Sequence, residues 1–187
     1  MADSTVTHRI VATVVHPEWF AEHLRVQREE SNRVNVAKWR AWLAANLDRV
    51  LAMSDSEVSE PHLVVWLFPI GKRSRTDPEA PFISRGVLRE TVLGDPTLRD
   101  AMRTAFGRVM AALGIEERAG ALVWRQRPLP WALGRKHDRR VYRILRSLHS
   151  AGLDAEARKL LALLERDMGA DAARAEALAW YRHQLAS

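Results

Sequence analysis

The 187 residues fit one domain, and a chain of this length buries roughly 70% of its unfolded surface without needing a covalent staple. There is no cysteine, which excludes disulfides, thiolate metal sites and cysteine nucleophiles and suits a reducing cytoplasm. Lys and Arg total 29 against 23 Asp and Glu, a net +6, and eight of the basic residues with one acid, Asp138, lie between Trp124 and His149. The rest is therefore close to neutral, and a basic face of this kind implies either an anionic partner or a solubilising surface.

Residues 1–8 are expected to be disordered, and residues 9–187 to form a single all-α domain. The opening Met1-Ala-Asp-Ser-Thr5 lacks the basic and apolar regions of a signal peptide, and no apolar run approaches a bilayer span, so a cytoplasmic location is expected. His8–Val15 is β-branched and reads equally as a strand or as the lead-in to a helix. A lone strand there would need a partner, for instance across a dimer.

Pro17 suits a first helical position, with Glu18 and Glu22 in the first turns, and predicts a helix to about Glu30. Asn32 then reads as the cap of a second helix whose apolar face is Val36, Trp39, Leu43, Leu47, Val50 and Leu51. Residues 60–69 form the longest near-continuous apolar run, with Pro61 and Pro69 near its ends. It predicts a short central helix, buried on every side. Gly71 to Pro81 is rich in Gly, Pro, Ser and Asp and reads as a loop, long enough to suggest function.

Ser84 caps a short helix through Leu88 and Val92. Asp95-Pro96 starts the next, with Leu98, Met102, Ala105, Phe106, Val109, Met110 and Leu113 on its apolar face and Gly114 as its stop. Residues 115–134 read as irregular. Lys136 to Ala151 predicts a helix with Val141, Ile144, Leu145 and Leu148 inward, stopped by Gly152 in the left-handed region. Asp154 caps a helix to Met168, and Asp171 caps a last one carrying Leu178 and Tyr181. The expected architecture is an irregular bundle of about seven helices around the central helix at 60–69, with almost no strand.

His62-x3-Trp66-Leu-Phe-Pro69 resembles the signature of the opioid growth factor receptor conserved region, a domain that also occurs in bacterial proteins. Other landmarks follow in the family's order. They are Asp77-Pro-Glu-Ala-Pro81, Asp95-Pro-Thr-Leu-Arg99, Arg140-Val-Tyr-Arg-Ile-Leu-Arg-Ser-Leu148 with Gly152-Leu153, and Leu178-Ala-Trp-Tyr181. The resemblance covers about residues 51–184 and implies an all-α fold. Leu63 and Val65 stand where the family usually has polar residues, and Arg135-Lys-His-Asp-Arg139 replaces its Asn/His-rich lead, so the peptide binding of the eukaryotic receptor is not carried over.

His62 lies about one helical turn before Trp66, which makes it the one weak candidate for an acid or base, or else a satisfied core histidine. Seven tryptophans against two tyrosines and four phenylalanines suggest core packing or an aromatic pocket. Trp124 and Trp131, on irregular chain beside the basic segment, are the pocket candidates, with Trp66 nearer the core. Arg135, Lys136, Arg139, Arg140, Arg143 and Arg146 recur at helical spacing and could grip an acidic protein, a peptide, nucleic acid or a small acidic ligand. His16, Glu18, Glu22 and His23 lack metal-site spacing, so no metal or cofactor is expected. The first expectation is thus a cytoplasmic helical binding domain for an anionic partner. The second is a small metal-independent enzyme with a pocket near His62 and Trp66, and the third is a subunit acting as a homo-oligomer.

Overall fold

The computed structural model describes residues 17–125 and 135–168, together with 175, 178, 179, 182 and 183. These are mostly helical: α1 (Pro17–Ala52), α2 (Asp55–Val58), α3 (Pro61–Leu67), α4 (Arg85–Leu93), α5 (Pro96–Ala112), α6 (Arg135–Ser150) and α7 (Asp154–Met168). One hairpin, β1 (Ile115–Arg118) and β2 (Ala121–Trp124), separates α5 from α6. No described helix is long and apolar enough to cross a membrane. Residues 1–8, the strand-or-helix segment 9–15 and Trp131 lie outside the described residues. Of the last expected helix, residues 175, 178, 179, 182 and 183 are helical, and Leu178 is buried.

The break expected near Asn32 does not occur, and α1 runs from Pro17 to Ala52. No glycine or proline interrupts it after Pro17, and the Asn32 side chain is used elsewhere: its Oδ1 accepts the Ser84 backbone N–H at 2.9 Å. The chain divides into two units, Met1–Ser31 and Asn32–Ser187. In the first, the described side chains of residues 21–30 are exposed, so helicity there draws on local charge pairing rather than burial. Arg25 bridges Glu22 and Glu29 at 2.5 Å each, one turn away on either side, and its hydrogen bond to Glu22 holds that carboxyl below its ordinary pKa.

The second unit has one apolar core. It joins Trp39 and Leu43 of α1, Leu63, Val64 and Leu67 of α3, Leu88 of α4, Met102 and Val109 of α5, Ile144 and Leu148 of α6, and Leu160 and Leu164 of α7. Local chemistry sets the ends of these helices. Ser54 and Glu57 form a reciprocal capping box on α2. Asp95 accepts the Leu98 N–H at 3.1 Å, with Pro96 in the first position of α5. Gly152, at φ 75°, ends α6, and the following Leu153 N–H reaches back to the Leu148 carbonyl at 2.9 Å. Asp154 is the first residue of α7 rather than its cap. Its carboxylate meets His149 Nδ1 at 3.0 Å and Arg89 at 3.5 Å.

The hairpin corrects the expectation of irregular chain after residue 114. Its register pairs Ile115 with Trp124 and Arg118 with Ala121 across Ala119-Gly120, which have φ of 49° and 78°. Two positive φ values in a two-residue loop match the twist of antiparallel strands. Asn-Gly is the usual signal for such a turn, and alanine in its place hides it. Glu116, Glu117 and Arg118 also disguise β1, since they sit on a solvated ribbon with only Ile115 buried.

Trp39 is fully buried, yet its indole N–H has no hydrogen-bond partner among the described residues. Trp39→Phe removes that orphaned donor along with some ring volume, and the two changes oppose each other. We expect Trp39→Phe to cost less than about 1.5 kcal/mol and Trp39→Ala about 3–5 kcal/mol in urea unfolding. Equal losses for the two variants would show that the N–H is satisfied in solution.

Candidate functional site

Pro69 has no N–H, so the Val65 carbonyl lacks the donor that a longer helix would supply four residues on. Arg143, on α6, fills that gap. Its Nη2 donates to the Val65 carbonyl at 3.4 Å and its Nε to the Phe68 carbonyl at 2.9 Å. One turn earlier, Arg140 donates to the Ser59 carbonyl at 2.5 Å. One turn later, the buried Ser147 hydroxyl donates to the Pro69 carbonyl at 2.7 Å. The three residues recur at helical spacing, so one face of α6 holds the end of α2 just before α3 and the C-terminal end of α3 by backbone oxygen atoms. A cation at the C-terminus of α3 also complements the helix dipole.

The loop leaving Pro69 is pinned from the other side. The Ile83 N–H closes its base on the Ile70 carbonyl at 3.2 Å. The buried Ser74 hydroxyl accepts the N–H groups of Thr76 and Asp77 at 3.1 and 3.3 Å, a side-chain turn. Asp77 then accepts the Trp66 indole N–H at 2.7 Å and the Glu79 N–H at 3.0 Å. The Trp66 ring stacks on Trp42 at 5.2 Å between centroids, with the Lys38 ammonium 5.4 Å from its centre. Asn35 accepts the Phe82 N–H at 3.1 Å.

Between this loop and α6 lies an open cleft of about 760 Å³. Among the described residues its charged lining is basic: Lys72, Arg73 and Arg75 from the loop, and Arg139, Arg140, Arg143 and Arg146 from α6, without a carboxylate. Pro61, Val64, Val65 and Ile70 supply the apolar part, and Tyr142, Ser74 and Thr76 also line it. Burial, followed by the charge of Arg146, pushes the Arg143 guanidinium down to about 10, so it stays charged at neutral pH but at a cost. Lys72, Arg75, Arg139 and Arg146 have no ion-pair or hydrogen-bond partner among the described residues, and Arg73 lies 5.2 Å over the Phe82 ring.

The structure brings together Arg139, Arg140, Arg143 and Arg146 of the expected basic helix and gives them two roles. Arg139 and Arg146 are exposed, while Arg140 and Arg143 are half-buried and occupied by carbonyls. Arg135 and Lys136 begin α6, but their side chains lie outside the described residues. Trp124 packs partly buried against the core and does not line the cleft. His62 is exposed and Trp66 is half-buried, and neither lines the cleft. Lys72, Arg73 and Arg75 were missed, although three cations within Gly71–Arg75, in a loop already marked as long, form a readable signal. Among the described residues no group of three His, Asp or Glu side chains could hold a metal ion. Compared with known protein families, curated proteins and solved structures, the chain shows no match.

Trp66→Phe keeps an aromatic ring against Trp42 and removes the bond to Asp77. A hydrogen bond to a charged group contributes about 1.5–3 kcal/mol, and the partial exposure of Trp66 places the expected loss at the lower end. Hydrogen exchange should show faster amides in residues 70–83 with α5 unchanged. Uniform acceleration would mean that Trp66 serves the core rather than the loop.

Proposed function

We propose that the chain is a helical binding domain that holds an anionic partner in the cleft between α6 and the loop after α3. The single observation that carries this reading is a cleft lined, among the described residues, by seven cationic side chains and no carboxylate. Collecting like charges is unfavourable in an empty site and becomes favourable when an anion enters. We further propose that α3 is the centre of the bundle and that the chain is similar to the bacterial domains of the opioid growth factor receptor conserved region. The motifs behind that resemblance fall on α3, on the loop tied to it by Trp66, at the start of α5 and on the α6 face that holds α3. The lack of cysteine supports action in a reducing cytoplasm.

An enzyme with its pocket at His62 and Trp66 has less in its favour. His62 is exposed, and Trp66 is committed to Trp42 and Asp77.

Arg139 and Arg146 are the residues to test, because both are exposed and bond to no described group. Binding of a fluorescein-labelled single-stranded oligonucleotide or polyglutamate should weaken steeply with salt. Arg139→Ala and Arg146→Ala should each reduce the slope of log affinity against log salt by about one, with folding retained. Binding indifferent to ionic strength, or unchanged in the double variant, would sink the proposal.

A further inference from the structure

We infer that the cleft takes a small oligophosphate ester, that is, two or three linked phosphates joined to an apolar or aromatic body. The inference rests on the cleft being the anion site, and it names the chemistry that fits there.

Size is the first argument. A cleft of about 760 Å³ falls within the roughly 300–1,000 Å³ that hold a single small molecule. Charge density is the second. Arg140 and Arg143 are held by carbonyls, but Lys72, Arg75, Arg139 and Arg146 are without partners among the described residues, and they face the cleft from both walls. A single carboxylate or phosphate would leave most of that charge unanswered. A nucleic acid brings one charge per nucleotide and an acidic peptide at most one per residue. An oligophosphate places several charges within one such length, with oxygen atoms suited to the paired donors of arginine.

The third argument is the remainder of the lining. Pro61, Val64, Val65 and Ile70 present apolar surface beside the cations, with the Tyr142 ring among them. A fully charged ion such as inorganic triphosphate would leave that surface wet. A ligand with a polyanionic head and an apolar body covers both parts, and burying the body adds about 25 cal/mol for each Å² removed from water. Arg143 is consistent with this: burial and the neighbouring Arg146 charge disfavour its charged form, and an anion bound there relieves both effects.

Two sources supply this chemistry, nucleotides and prenyl or other lipid diphosphates, and the test separates them. Titration calorimetry on the full chain at low salt would use ATP, geranyl diphosphate, inorganic triphosphate, adenosine and a short single-stranded oligonucleotide. We expect one ester to bind with a stoichiometry of one, inorganic triphosphate to bind about tenfold more weakly, and adenosine not to bind. The tighter of ATP and geranyl diphosphate names the source, and either result supports the inference. Arg139→Ala and Arg146→Ala should each weaken the ester about tenfold. Ile70→Ala should weaken the ester severalfold and leave inorganic triphosphate unchanged, with circular dichroism confirming the fold. The exposed arginine variants still decide the matter if Ile70→Ala does not fold. Oligonucleotide binding that depends on Arg139 and Arg146, without binding of either ester, overturns this inference and leaves the anion reading standing. No binding by any anion overturns both.

Discussion

A proline that ends a helix leaves a carbonyl without a donor, and much of the arrangement around α3 follows from that deficit. Pro69 deprives the Val65 oxygen of its helical partner, and Arg143 supplies the missing donors to Val65 and Phe68. Apolar packing of Ile144 and Leu148 is non-directional and would tolerate some sliding of α6. Hydrogen bonds to fixed carbonyls do not. Arg140, Arg143 and Ser147 therefore set the register of α6 against residues 59–69, and through it the height at which Arg139 and Arg146 stand over the loop.

The same guanidinium links stability to the site. Arg143 sits where burial opposes its charge, with Arg146 one turn away adding repulsion. Its bonds to α3 offset part of that opposition. An apolar side chain of similar length would remove the repulsion but would leave the Val65 and Phe68 carbonyls without these donors, and an unsatisfied buried acceptor costs about 1–3 kcal/mol. The fold keeps the charge, and the cleft inherits it.

The sequence was most legible where local chemistry sets structure. Asp95-Pro96, Gly114, Gly152 and the two prolines of α3 mark ends that follow from φ limits and missing N–H groups alone, and the structure has them. It was least legible where a partner distant in the chain decides. Asn32 has the side chain of a helix cap, but the Ser84 backbone fifty-two residues away claims it, and α1 continues. Ala119 gives no sign of a left-handed turn until the strands on either side pair. The basic spacing of α6 was visible, but its division into anchors and exposed charges was not. Which arginines meet α3 depends on where Pro69 leaves its carbonyls, a fact about two elements at once.

A solubilising surface is the competing account of the basic residues, and the pairing pattern argues against it as the whole explanation. Elsewhere in the second unit several cations are matched, Arg40 with Asp95, Arg89 with Asp154, Arg103 with Glu156, Arg108 with Asp55 and Lys159 with Glu117, while Arg49, Arg85, Arg99 and Arg158 meet no carboxylate among the described residues but are not gathered in one cleft. Of the seven cations lining the cleft, none meets a carboxylate among the described residues. Solubility requires charge on the surface but does not require acids to be withheld from one concave region. The repulsion that results is felt by Arg143 itself. Among the described residues no acid relieves that repulsion, and this is the charge state the proposed anion site would require.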